Sequence, residues 1–189
     1  MVLLAQGAPR RTETAAAPAG GQMDEIASAR ESLRQATAAL GEDHPVTAFM
    51  LRNLALAMEQ AGYANYAERY AQQSLAILER RFGPGDVSLV PALNVLAEAA
   101  VKLSKYDDAR QYAVRAVAIG PDAGAHYGTA LHNLAAIFQA EGRYQEAADY
   151  YRQALSVREK LLPPGHPYTQ VTREALKQVQ HAVKLTARR

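Results

Sequence analysis

The chain contains no cysteine and no tryptophan, and only three of its 189 residues are phenylalanine. Without cysteine there are no disulfides, no thiolate metal sites and no cysteine nucleophile. That leaves the compartment open, because a disulfide-free protein can work in the cytoplasm or the periplasm. Cytoplasm is the first expectation and periplasm the second. No apolar run approaches the ~20 residues of a membrane span. An excess of one charge is missing too. The 21 Lys and Arg against 19 Asp and Glu leave a net charge of +2, and the signs are interleaved, as in Arg143–Glu146 and Arg158-Glu159-Lys160. A nucleic-acid groove would need clustered bases, so none is expected.

Catalytic signatures are absent as well. There is no Walker loop, Gly-rich dinucleotide fingerprint, H-E-x-x-H or G-x-S-x-G motif. Of the five histidines, His44 and His166 each precede a proline in a repeated junction, where His-Pro serves the turn. His126 and His132 lie six apart, off one helical face, with no acid at ligand spacing. No enzyme, metal site or cofactor is expected. The tyrosines Tyr66, Tyr70, Tyr112, Tyr150 and Tyr151 sit at helical spacing and are expected to pack between helices.

What the chain does have is repetition. Leu51-Arg52-Asn53-Leu54-Ala55, Leu93-Asn94-Val95-Leu96-Ala97 and Leu131-His132-Asn133-Leu134-Ala135 align without gaps. So do Tyr66-Ala67, Asp108-Ala109 and Glu146-Ala147. The copies are spaced by 42 and then 38 residues. A fixed period in this range means stacked supersecondary units, which work as surfaces more often than as catalysts.

Apolar residues recur at three- and four-residue spacing, as in Leu131, Leu134, Ala135 and Phe138. Breakers punctuate them at Gly62, Gly83-Pro84-Gly85, Gly120-Pro121, Gly142 and Pro163 to Pro167. The pattern predicts helices over 23–40, 46–60, 64–81, 88–103, 106–119, 125–140, 144–162 and 168–186. Ser88 is read as an N-cap that puts Pro91 in a first turn. The Ala-, Gly-, Pro- and Thr-rich residues 1–22 read as a disordered tail, and Met1 to Ala5 is too short for a signal peptide's apolar region. The remainder, 23–189, divides into a half repeat (23–45), three repeats (46–87, 88–125, 126–167) and a capping helix (168–189). The half repeat follows from Ser32-Leu33 matching Ser74-Leu75. The cap follows from Lys177 standing where Ala55 stands, with Gln178, Gln180 and Lys184 giving a polar outer side.

Small residues mark the helix crossings: Ala55, Ala97 and Ala135 on the first helix of each pair, Ala67, Ala109 and Ala147 on the second. Ser74, Ala116 and Ala154 follow seven residues later. This pattern resembles the tetratricopeptide repeat. The 42-residue spacing and the Leu-Gly-x-x-His-Pro junction resemble its kinesin-light-chain-type subfamily, which is widespread in bacteria. Ordinary units have about 34 residues; about eight more lengthen the second helix and its junction by ~12 Å. The resemblance covers about residues 23–170 and implies an all-α fold, a right-handed α-α superhelix of about eight antiparallel helices. The middle copy departs from the pattern. It has Val95 in place of Asn53 and Asn133, Ser104 in place of glycine, and a second helix cut short by Gly120-Pro121.

The family's first helices line a concave groove that binds an extended peptide or a partner helix. Carried over, the groove positions are Phe49, Arg52, Asn53, Leu56, Glu59 and Gln60; then Asn94, Val95, Glu98, Val101 and Lys102; then Thr129, His132, Asn133, Ala136 and Gln139. The partner-contacting set narrows to Arg52, Asn53, Leu56, Asn94, Glu98, Lys102, His132, Asn133 and Gln139. Asn53 and Asn133 carry both a donor and an acceptor, so each can pair with a peptide main chain or with a neighbouring helix. Arg52 and His132 can add charge or pH sensitivity, or lie on a solvated helix face. The carboxylate clamp of chaperone-binding members is not expected, because among Arg52, Leu56, Val95, Gly128 and His132 only Arg52 suits it. The expected partner is a peptide or protein. Self-association as a scaffold and a peptide-sensing regulatory domain are the alternatives.

Overall fold

The computed structural model describes residues 20–186. They form eight α-helices: α1 Gly20–Leu40, α2 Pro45–Gln60, α3 Ala64–Phe82, α4 Val90–Lys102, α5 Tyr106–Ile119, α6 Ala125–Ala140, α7 Tyr144–Leu161 and α8 Pro167–Thr186. Short 3-10 turns at Val87–Leu89 and Pro121–Ala123 precede α4 and α6. The described residues contain no strand, and no helix is long and apolar enough to cross a membrane. The expected tail lies outside the described residues except for its last three, which open α1. There the Gln22 Nε2 donates to the Gln60 carbonyl at 3.3 Å, anchoring the helix start to the end of α2.

Each repeat turns the same way. Gly62 N–H bonds the Glu59 carbonyl and Tyr63 N–H the Met58 carbonyl, at 3.0 and 2.8 Å. Ser104 with Lys105, and Gly142 with Arg143, repeat this pair of bonds. This is the Schellman arrangement, and it needs a left-handed residue at its hinge. Gly62 and Gly142 supply it at φ +84° and +77°, and Ser104 holds φ 60° despite its side chain.

Two of the repeat junctions are capped by histidine. His44 Nδ1 accepts from Val46 N–H and His166 Nδ1 from Tyr168 N–H, each at 3.2 Å. The following proline sits in the first turn, where its missing N–H leaves nothing unsatisfied. At the junction before α4 the cap is Asp86, whose carboxylate accepts from Ser88 N–H at 2.9 Å. Ser88 is therefore capped rather than capping, and its hydroxyl is buried without a partner. An ionised carboxylate is the stronger acceptor, so the 3-10 turn begins behind Asp86 and α4 starts only at Val90.

The six crossing alanines are at most 1% exposed. Ser74 Oγ donates to the Ala48 carbonyl at 2.7 Å, pinning α3 to α2. Gly128 serves an equally close approach: a Cβ there would meet Val157 Cγ1 at 3.2 Å and Arg158 Cγ at 3.3 Å. The apolar core falls into two clusters. One gathers Ile26, α2, α3 and most of α4 with Ala116 of α5 and Ala130 of α6; the other gathers Ala97 and Ala100 with the rest of α5 and α6, α7 and the inner side of α8. Helix α4 contributes to both. In the middle repeat α5 has 14 residues against 19 in α3 and 18 in α7, because Gly120 leaves the helix at φ 103° ahead of Pro121.

Candidate functional site

The first helices of the repeats, α2, α4 and α6, lie side by side, and the start of α8 closes their end. Between them runs a groove of about 580 Å³. Most sequence-predicted positions meet there: Arg52, Leu56, Asn94, Glu98, Lys102, His132 and Asn133 all line it. Asn53 and Gln139 do not. Asn53 is exposed on α2, and Gln139 is drawn inward, where its side-chain oxygen accepts from the Tyr151 hydroxyl at 3.0 Å. Of the wider set, Phe49 is also outside the lining and packs against the core.

Polar contacts between successive first helices set the groove's geometry. Lys102 Nζ reaches Glu59 Oε1 at 2.5 Å and the Glu59 carbonyl at 2.8 Å, joining α4 to α2. Asn133 Nδ2 donates to Glu98 Oε1 at 2.9 Å, joining α6 to α4. Asn133 therefore bonds a neighbouring helix while still facing the groove. The middle repeat compensates for Val95 one position earlier, where Asn94 donates to the His126 carbonyl at 3.0 Å.

The sequence pattern did not single out Arg158. It lies on α7 at a position that aligns with the buried Leu78 of the first repeat, so a charge at a core position was its signal. It is 3% exposed and passes α6 where Gly128 leaves room. Its guanidinium donates to the Tyr168 carbonyl at 2.8 Å and to the Thr172 hydroxyl, tying the start of α8 to the groove floor. Thr129 Oγ1 lies 3.5 Å from its other terminal nitrogen. Beside it, His132 Nδ1 is 3.2 Å from the Thr172 hydroxyl, and its ring meets Tyr151 edge-on at 5.1 Å.

Burial governs the ionisation of these groups. Burial, with the nearby Arg158 charge, lowers the His132 pKa to about 4. Burial and then Arg52 lower that of His126. Burial raises the Glu98 carboxyl, and the nearby Glu59 adds to this; Asn133, Lys102 and Arg158 work the other way. Burial also lowers Arg52 and Arg158, and lifts the Tyr151 phenol to about 12. Three buried polar atoms along the groove have no hydrogen-bond partner: Arg52 Nε, Asn94 Oδ1 and Arg158 Nε. Among the described residues no three His, Asp or Glu side chains are grouped to hold a metal ion.

Stacked helix pairs around small crossing residues, with a groove along their first helices, define an α-solenoid of the tetratricopeptide class. Residues 128–168 match the tetratricopeptide repeat family model, so that stretch is a tetratricopeptide repeat. The chain as a whole shares that fold. It is similar to kinesin-light-chain-like repeats from Podosopora anserina, at 21% identity and a TM-score of 0.65 over 88% of this chain and 81% of that one. BtubC (BKLC) from P. vanneervenii matches at 20% identity and a TM-score of 0.71, over 87% and 67%. A Rap protein complexed with Competence and Sporulation Factor matches at 17% identity and a TM-score of 0.65, over 89% of this chain and 46% of that one. At such identities the likeness is one of fold. Comparison with curated proteins gives no match.

Proposed function

We propose that this chain is a protein-interaction module that holds an extended peptide, or a segment of a partner protein, in the groove between α2, α4, α6 and the start of α8. The observation that carries the reading is the set of unsatisfied polar atoms on residues that line that groove. Arg52 Nε and Arg158 Nε are donors, Asn94 Oδ1 is an acceptor, and all three are buried without a partner. Each such group costs about 1–3 kcal/mol while unpaired. A peptide unit presents one acceptor and one donor, so a main chain laid along the groove can meet both kinds. Apolar Leu56, Val95, Val101 and Ala136 lie among them, giving side chains something to bury against. The Rap structure with its Competence and Sporulation Factor supports the reading by showing a solenoid of this type in a complex. No catalytic step is assigned to the chain.

The test is capture from the native cell extract by the wild-type protein and by Arg52→Ala/Asn94→Ser, with helicity and melting temperature compared first. A partner retained by the wild type and lost by a folded double variant is the expected result. Equal capture by both would place the binding surface elsewhere.

A further inference from the structure

The two ends of the described solenoid are complementary halves of one repeat. Helix α8 is a first helix: His166-Pro167 repeats His44-Pro45, and Leu176 aligns with Leu54. No second helix packs on it among the described residues. Helix α1 is a second helix: Ser32-Leu33 repeats Ser74-Leu75, and no first helix precedes it there. Inside the chain, a first helix meets its second helix at paired alanines, such as Ala55 with Ala67, both fully buried. In α8 the alanine of the first helix is replaced by Lys177. In α1 the alanine of the second helix is replaced by Glu25. Glu25 is exposed, and the Lys177 side chain is 67% exposed, with only a loose contact of 3.7 Å to Glu174.

A polar cap on each end would keep a solenoid soluble whatever the sign of its charges. Opposite signs at the two equivalent positions go further, because they select a polarity. We propose that copies of this chain associate head to tail, α8 of one copy receiving α1 of the next, with Lys177 facing Glu25 across the junction. Antiparallel packing, as in α2 against α3, sets the end of α8 against the start of α1. Tail-to-tail pairing would instead oppose Lys177 to Lys177, and head-to-head pairing Glu25 to Glu25.

Helix α2 of the incoming copy would then stand beside α8 as α6 stands beside α4. Asn53 aligns with Asn133, and Gln178 aligns with Glu98. The Asn133–Glu98 bond therefore has its counterpart in Asn53 and Gln178, which accounts for an asparagine that no groove contact uses. A heterologous contact of this kind does not close on itself, so mass should grow with concentration and not stop at a dimer.

Light scattering on the full chain, from about 10 µM to about 1 mM, tests this against affinities in the range such a surface gives. The wild type should grow beyond twice the 20.5 kDa monomer mass. Lys177→Glu and Glu25→Lys should each weaken association about tenfold or more, equivalent to one close charge contact reversed. The combined Lys177→Glu/Glu25→Lys chain, with its ends complementary again, should regain it. Both sites are exposed, so circular dichroism should show all three variants folded. A wild type that stays monomeric throughout, a mass that stops at a dimer, or growth indifferent to either reversal would each overturn the proposal.

Discussion

His132 makes the stability of this protein fall with acid, and the size of the fall follows from its surroundings. Burial and the Arg158 charge hold its pKa at about 4 in the folded chain, against about 6.5 when unfolded. A depressed histidine binds more protons unfolded than folded between those values. Its neutral form is therefore compatible with the fold above about pH 6.5, and stability is lost as the pH drops through the window down to about 4. Linkage over these two values gives a loss of about 2 kcal/mol between pH 7 and pH 5. For a domain of this size that corresponds to a melting temperature lower by about 4–8 °C. Glu98 acts in the opposite sense, since burial raises its carboxyl and stability from it falls as pH rises through its own titration. The comparison must therefore be made within a pair. His132→Phe keeps an aromatic ring against Tyr151 and removes the titration. Urea melts of both proteins at pH 7 and pH 5 should show the wild type losing about 2 kcal/mol more than the variant. Equal acid losses in the two proteins would show that His132 is not held neutral by its site.

Three further perturbations probe the framework. Ala109→Leu should overpack the α4–α5 crossing, where Ala109 is fully buried, and cost about 1–3 kcal/mol; an unchanged melting temperature would remove the crossing. Arg158→Ala should cost about 2–4 kcal/mol by leaving the α8 acceptors unpaired and a cavity behind, whereas Arg158→Leu, which restores the residue of the first repeat, should cost less. In Arg158→Leu the loss of the nearby positive charge should let the His132 pKa rise from about 4 toward its ordinary value, read by its NMR titration; a fall would contradict the electrostatics. Asn133→Ala should leave Glu98 without its donor and push its carboxyl further up, measurable as a displacement of its titration to higher pH than in the wild type.

The solenoid was legible because its determinants are local and recur. Alanine at each crossing, glycine at two of the three hinges and His-Pro at two of the junctions state nearly the same geometry from copy to copy. The Ser88 cap was misplaced because two acceptors compete within three residues, and periodicity does not rank Asp86 above Ser88. In the groove, positions inherited by alignment found the wall but not the floor. Arg158 arrives from a second helix, threading past Gly128, and only its charge at a leucine position hinted at it. Gln139 was lost to Tyr151, a bulky residue where the other repeats carry Ala71 and Ala113.

The division of the core gives the middle helix pair a particular standing. The two apolar clusters interlock across the middle of the stack, where α4, α5 and α6 each contribute to both, and α5 is the shortest full second helix. Amide exchange in α5 should therefore be faster than in α3 or α7. A peptide lying along the groove would press on α4 from the far side. Its occupancy should slow that exchange, so that α5 reports on a ligand it never touches.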